Sequence, residues 1–431
     1  MLFADAVSEL DSRRESRMVP DLSRILRLAT LMDDPQLSYP SIHVTGTNGK
    51  GTAARVVSAV ACGHGITAGL YTSPHLVSVT ERLSICGADI RHEEFGEEYE
   101  HLLPFMELVD AEADERVTYF EALTALAYLW FADKPVGLGV FEVGMGGVWD
   151  ATNLVAGDVA VLTPIALDHP ELGDTVEAVA REKAGIIKEG KVAVSREQDT
   201  EALDIIEARC SDVGATLKLE HRDWELDERL HAVGGQAFTV RGLHATYEDL
   251  FLPMLGEHAA RNAAAAVVAC EALVGEPLDL RVMRESLAAV TWPGRLEIVQ
   301  RHPLIVLDGA HNPAGAEALA VALREFFIWD RLHLVIAVSG NKNLEGIVAE
   351  LAPLADVGYA ARNQNERSGD ALPIAERFGL EGKSVSVHES VSAALDAARA
   401  AAAETDLILV TGSLYTVADA RRALGIPAGG P

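Results

Sequence analysis

The chain has 431 residues, 49% hydrophobic and 23% charged, so it can bury a sizeable core and suits two or three globular domains. Its formal net charge of −29 excludes a broad nucleic-acid or anionic-membrane surface, although a local site can still gather cations of its own. No apolar run approaches the roughly 20 residues needed to cross a bilayer, and the opening MLFADAVSELDSRRESR lacks the basic-then-apolar order of a signal peptide.

Residues 1–40 read mostly as helix, with LSRILRLATLMDDP stopping at Pro35. A strand at 42–45 leads to a helix from about 52 to 62, and GITAGLYTS reads as a second strand. SVTERLSICGADI has hairpin character, and EEFGEEYEHLLPFMELVDA and TYFEALTALAYLWFA read as helices. VGLGVFEVG, DVAVLTPI and KVAVS are buried strands, separated by the helix TVEAVAREKAGII and followed by EALDIIEARCSDVG, a helix. This alternation predicts a parallel sheet with helices on both faces. Between about 216 and 255 shorter alternating strands, QAFTVRG and ATYEDLFLPML, predict a small antiparallel sheet, and two helices follow it.

The Pro-Gly break in TWPGRLEIVQ predicts a boundary near residue 296, dividing the chain into domains 1–296 and 297–431. The second domain alternates again through LIVLDGAH, AGAEALAVALREFF, LHLVIAVSG, VSVHE, an alanine-rich helix and DLILVTGS. The fold class expected is α/β. An N-terminal P-loop-type domain has a mainly parallel sheet plus the small antiparallel one, and the C-terminal domain is Rossmann-like. The four cysteines, Cys62, Cys86, Cys210 and Cys270, stand singly with no CxxC pair. That spacing predicts neither a zinc knuckle nor a disulfide framework, and it fits a reducing cytoplasm.

The stretch that organises the rest is Ile42 to Thr52, where an apolar strand breaks into Gly46-Thr47-Asn48-Gly49-Lys50-Gly51-Thr52 and becomes a helix. Backbone N–H groups and the positive helix end would surround a phosphate, Lys50 adds a point charge, and the Thr52 hydroxyl could meet Mg²⁺. The match is irregular, because Val44 stands where the first P-loop glycine belongs and Gly51 separates Lys50 from Thr52; an ordinary glycine turn is the plain alternative. Ser73 and His75 flank Pro74 at a strand end, as a ligand edge or simply a turn. Glu142 interrupts a buried strand before three glycines, so it serves as a metal ligand or as half of a structural ion pair. His169 follows another buried strand and could ligate a metal or cap a loop, while Lys183 reads as a last-turn helix lysine. Asn262 is an amide inside an alanine-rich helix, and Arg295 stands in the hinge. Asp308 and His311 lie at one strand–helix junction, facing the expected interdomain cleft, and Ser413 with Tyr415 lies at another.

Read together, HVTGTNGKGT, YTSPHL, FEVGMGG-x-WDATN, LDH, REKAGII, WPGRLE, LDGAHNP and GSLY resemble the folylpolyglutamate synthase/dihydrofolate synthase family of the Mur ligase superfamily, from about residue 20 to 425. The resemblance implies ATP-dependent joining of L-glutamate to a folate-type acid through an acyl phosphate. It implies that Thr47, Asn48, Gly49, Lys50, Gly51 and Thr52 cradle the phosphates and that Ser73, Glu142 and His169 hold two Mg²⁺ ions. It makes Lys183 a carbamylated, catalytic lysine that becomes an anion near the second metal, counts Lys50 as catalytic too, and sets His311 near the reacting phosphate. Asn262, Arg295 and Asp308 would touch the nucleotide. Arg82, Thr118, Tyr119, Phe120, Glu121, Trp149, Asp150 and Ala151 would line the acceptor pocket, and Ser413 and Tyr415 would position glutamate. Small-molecule partners, no nucleic acid or membrane, and a cytoplasmic monomer complete the implication. Departures from the family pattern fall at Val148, at the HPELGD stretch and at Asn341-Lys342-Asn343. They leave two other readings in view, a Mur-type ligase for a different carboxylate acceptor and a non-catalytic nucleotide-binding relative.

Overall fold

A computed structural model describes residues 1–14, 20–167 and 170–427. The chain forms two units. One comprises Met1–Leu230, Ala237–Phe251 and Arg261–Val290; the other comprises His231–Gln236, Leu252–Ala260 and Thr291–Pro431.

In the first unit α1 (Phe3–Asp11) and α2 (Ser23–Leu31) precede β1 (Ser41–Thr45), α3 (Lys50–Gly63) and β2 (Ala68–Tyr71). A hairpin, β3 (Leu83–Ile85) and β4 (Ala88–Asp89), leads to α4 (His92–Glu112), α5 (Tyr119–Asp133) and β5 (Leu138–Glu142). The remaining sheet elements are β6 (Val159–Leu162), α6 (Val176–Ala184), β7 (Val192–Ser195), α7 (Thr200–Asp212) and β8 (Thr216–Leu219). The strand order is β4-β3-β2-β5-β1-β6-β7-β8, parallel from β2 to β8 with the hairpin antiparallel at one edge. β1 sits inside this sheet with every residue buried, which is why its sequence is a run rather than an alternation. Tyr71, Tyr99, Tyr128, Phe131 and Phe141 fill the core under α4 and α5, while Leu162, Val179, Ile186 and Ile206 belong to a second cluster with α6 and α7. Burying each such side chain contributes about 1.5–3 kcal/mol. Phe141 therefore pins the strand end that carries Glu142.

A three-stranded antiparallel sheet follows, β9 (Glu225–Ala232), β10 (Gly235–Arg241) and β11 (Thr246–Leu252), and then α8 (Glu257–Val274) and α9 (Leu280–Ala288). The C-terminal elements are β12 (Glu297–Arg301), β13 (Leu304–Leu307), α10 (Pro313–Phe326), β14 (Leu332–Ile336) and α11 (Leu344–Leu351). They continue with β15 (Val357–Ala360), α12 (Ala371–Leu380), β16 (Val385–Val387), α13 (Val391–Ala401), β17 (Leu407–Thr411) and α14 (Leu414–Ala423). The six strands run β12-β13-β17-β14-β15-β16, with only β12 antiparallel to its neighbour.

The α/β class is as expected. One sequence expectation is corrected: Cys62 at the end of α3 forms a disulfide with Cys86 in the β3–β4 turn, Cα atoms 5.6 Å apart. The antiparallel return of β3 along β2 brings the turn back beside the end of α3, a neighbourhood that cysteine spacing does not encode. Cys210 and Cys270 are buried thiols. β8 also joins the large parallel sheet, although its sequence lies within the stretch expected to be antiparallel. Among the described residues no helix is long and apolar enough to cross a membrane.

Candidate active site

The glycine turn between β1 and α3 is shaped by its neighbours. Gly46 has φ +143°, and a Cβ there would lie 1.8 Å from Thr163 Oγ1; Gly49 has φ +89°, and a Cβ there would lie 2.0 Å from Asn262 Nδ2. Only glycine fits either position. Thr47 ties the turn to the segment after β6: its N–H donates to Pro164 O at 3.0 Å, its hydroxyl donates to Ala166 O at 2.8 Å, and it accepts from Ala166 N–H at 2.9 Å. Lys50, Gly51 and Thr52 open α3 and are held beside this turn, with Gly51 and Thr52 buried; Asn48 directly precedes Gly49.

Two lysines converge on one carbonyl. Lys183 Nζ donates to Gly46 O at 2.7 Å, and Lys50 Nζ donates to the same oxygen at 3.1 Å and to Thr47 O at 3.2 Å. Lys183 is only 4% exposed. Two ammonium groups within about 6 Å repel by roughly 3 kcal/mol at an effective dielectric near 20. Both lysines line a small pocket with Gly46, Thr47, Gly144, Met145, Ala166, Leu172 and Val179. The last-turn lysine of α6 is thus an interior group of the glycine turn.

Glu142 ends β5 in a buried position, and its Oε2 accepts from Ser73 N–H at 3.2 Å. These two expected metal ligands are therefore neighbours; His169 and Asp168 lie outside the described residues. The loop after Ser73 is held by Glu81, whose carboxylate accepts from the N–H groups of Leu76, Val77 and Ser78 at 2.7–2.9 Å. Glu81 was not among the expected site residues, yet Ser78-Val79-Thr80-Glu81 is a capping-box pattern and could have been read as an anchor.

The expected acceptor wall divides in two. Thr118 caps α5 in a reciprocal box with Glu121, and Glu121 Oε2 also accepts from Arg24 Nε at 3.0 Å, so the carboxylate is engaged in scaffold contacts. Asp150 similarly accepts from Met145 N–H, Thr152 N–H and the Thr152 hydroxyl, with Ala151 buried beside it. Burial pushes the Asp150 carboxyl above its ordinary range against these hydrogen bonds. Trp149 is half-buried and interacts with the Glu182 carboxylate. Phe120 packs over Gly144, where a Cβ would lie 2.5 Å from its ring. Tyr119 has the Arg82 guanidinium 5.5 Å and the Arg14 guanidinium 4.4 Å from its ring centroid. Arg82 Nε donates to His75 Nδ1 at 3.0 Å. Arg14 lies far away in sequence and carried no signal that could have found it.

Asn262 finds the partner that its apolar helix demanded: Arg196, itself paired with Glu220, donates to its Oδ1 at 2.6 Å. In the second unit Asp308 is buried, and its two oxygens accept from Leu296 N–H at 2.9 Å and Ala310 N–H at 2.8 Å. Burial, opposed by the nearby Arg295 charge, raises its carboxyl above the usual range. His311 Nδ1 donates to Gly309 O at 2.8 Å, so the neutral ring keeps its lone pair on Nε2. Ser413 caps α14 by accepting from Tyr415 N–H at 3.2 Å, and Gly412 N–H donates to Ala310 O, placing the β13 and β17 junctions side by side.

Residues 44–270 match the Mur ligase middle domain and residues 294–414 the Mur ligase glutamate ligase domain. A dihydrofolate synthase/folylpolyglutamate synthase from Mycobacterium tuberculosis is 39% identical, covering 96% of this chain and 92% of that protein. A structure of Mycobacterium tuberculosis folylpolyglutamate synthase complexed with ADP superposes with a TM-score of 0.94 at 39% identity, covering 99% of each chain. An Escherichia coli protein solved with DHPP and ADP superposes with a TM-score of 0.87 at 32% identity, over 99% of this chain and 98% of that one.

Proposed function

The chain belongs to the dihydrofolate synthase/folylpolyglutamate synthase family of Mur ligases, and from that premise we propose how its own residues carry out ATP-dependent glutamate ligation in folate metabolism. The observation that carries the proposal is the convergence of Lys50 and Lys183 on the Gly46 carbonyl. That arrangement concentrates positive charge where terminal phosphates would lie.

Lys183 is proposed to be carbamylated: its neutral amine adds CO₂, releases a proton and becomes an anion facing Lys50. The backbone of Thr47 to Thr52 holds the phosphates at the N-terminus of α3, and Asn262 braces Gly49 from behind. The hard oxygen donors Glu142 and Ser73 fit Mg²⁺, with His169 proposed as a further ligand. When bound, the ions neutralise phosphate charge in the transfer.

The acceptor carboxylate attacks the γ-phosphorus of ATP, ADP leaves, and an acyl phosphate results. The glutamate amine, once deprotonated, attacks the acyl carbon and phosphate departs. Lys50 stabilises the charge that builds during transfer. Tyr119, Phe120, Trp149 and Ala151 are proposed to wall the acceptor, with Thr118, Glu121 and Asp150 fixing that wall. For the proposed C-terminal domain, residues 297–431, and the hinge Arg295 before it, the proposed roles are nucleotide contact by Arg295 and Asp308, proton transfer near phosphate by His311, and glutamate positioning by Ser413 and Tyr415. A monomer in the cytoplasm is proposed.

The test is glutamate-dependent ADP release with a panel of acceptors: dihydropteroate, tetrahydrofolate and its monoglutamate. Release with at least one of them is expected. Release only with an unrelated acid would replace the acceptor assignment, and glutamate-independent release alone would remove the ligase reading.

A further inference from the structure

Several buried arginines of the first unit are closed by carboxylates. Arg13 meets Glu9 and Asp110, Arg24 meets Glu121, and Arg196 meets Glu220. Arg82 is as well buried, 8% exposed, yet among the described residues no carboxylate stands within ion-pair distance of it. Its Nε is engaged by His75 and its Cζ lies 5.5 Å from the Tyr119 ring centroid. A cation withdrawn from water without a counter-ion is costly, and a guanidinium offers two parallel N–H donors matched to a carboxylate. The site is therefore short of one anion.

His75 adds a second donor. Arginine can only donate, so His75 Nδ1 accepts and the proton of the neutral ring sits on Nε2. None of Arg82, His75 and Tyr119 lines the pocket of Gly46, Thr47, Lys50 and Lys183, where a reacting carboxylate has to meet the γ-phosphate. The anion that Arg82 lacks is thus a different one.

We propose that Arg82 and His75 form a subsite for the non-reacting α-carboxylate of a glutamyl residue already attached to the acceptor, and so set the preference for glutamylated acceptors. The proposal rests on the folate-ligase reading. Dihydropteroate carries one carboxylate, the one that reacts; a monoglutamate carries a reacting side-chain carboxylate and an α-carboxylate.

The experiment measures kcat/KM by glutamate-dependent ADP release for three acceptors: dihydropteroate, tetrahydrofolate monoglutamate, and an analogue with 4-aminobutyrate replacing the glutamyl residue, which lacks only the α-carboxylate. In the wild type, loss of the α-carboxylate is expected to lower kcat/KM at least tenfold, mainly through KM. Arg82→Met should erase that difference, Arg82→Lys should restore part of it, and His75→Gln should shrink it less. Nucleotide binding by each variant reports that it has folded; should Arg82→Met fail that check, Arg82→Lys and His75→Gln carry the comparison. A wild type indifferent to the α-carboxylate, or variants that lower both acceptors equally, overturns the proposal. Turnover of dihydropteroate alone overturns it while sparing the ligase reading, and turnover of no acceptor overturns both.

Discussion

The glycine turn after β1 and the Asp308 junction after β13 are alike in sequence, each a buried strand breaking through glycine into a helix, but they satisfy their polar groups differently. At Asp308 the accounts are internal: both oxygens accept backbone N–H groups, Asn312 caps α10 through Gly315 N–H, and Ser413 caps α14. At the glycine turn two lysine side chains share one carbonyl. The first spends its polar groups on backbone donors close by, and the second gathers two cationic side chains on one turn. Substitutions at the loop should therefore affect turnover first, and those at the second unit's junctions should affect stability first.

The largest effect is expected at Lys183. Lys183→Ala removes both the buried cation and the carbamate proposed to replace it, and turnover should fall by roughly 10³-fold or more. Turnover within tenfold of wild type would break the contrast between the two junctions.

Gly49→Ala comes next. A methyl at φ +89° directed at Asn262 Nδ2 should cost about 1–3 kcal/mol. The displaced turn should also lose nucleotide affinity, read by displacement of a fluorescent ATP analogue. An unchanged melting midpoint would mean that the turn adapts, and that Gly49 is present for another reason.

Much of this was legible in the chain itself. β1, β5 and β6 are buried runs between turns, and the helices after them carry their periods plainly, so the parallel sheet followed. The convergence of Lys183 on Gly46 was not, because it is a contact between residues 137 apart. Sequence physics alone left Lys183 as a solvated helix-end group, and only the motif set moved it inward. α11, β15 and α12 escaped notice because Leu344 to Leu380 is broken by polar turns and its strand is four residues long. The Cys62–Cys86 bridge escaped for a related reason: tertiary proximity between a helix end and a hairpin leaves no spacing rule behind.

A pH profile sharpens the same comparison at smaller amplitude. His43 lies in β1, fully buried, bonded to Thr152 Oγ1, and burial lowers it to about 3. Because the folded value lies below the unfolded value of 6.5, its stabilising share is present above pH 6.5 and is lost as pH falls from there toward 3. The slope is at most about 1.4 kcal/mol per pH unit. His43→Gln should flatten the acid limb of the urea midpoint between pH 6.5 and 4.5. A limb of unchanged slope would assign acid sensitivity to other groups.

The smallest effect distinguishes a cap from a ligand. Ser413 Oγ accepts from Tyr415 N–H at the start of α14, so Ser413→Ala should lower stability by about 1 kcal/mol. If the same hydroxyl also orients Tyr415 for glutamate, KM for glutamate should rise several-fold while kcat changes less. Ser413→Asn can keep the cap while altering what the hydroxyl presents, so it should recover the melting midpoint but not the glutamate KM. Recovery of both would reduce Ser413 to a cap and leave the second junction as scaffold alone; recovery of neither would mean that hydroxyl geometry, not capping, sets the start of α14.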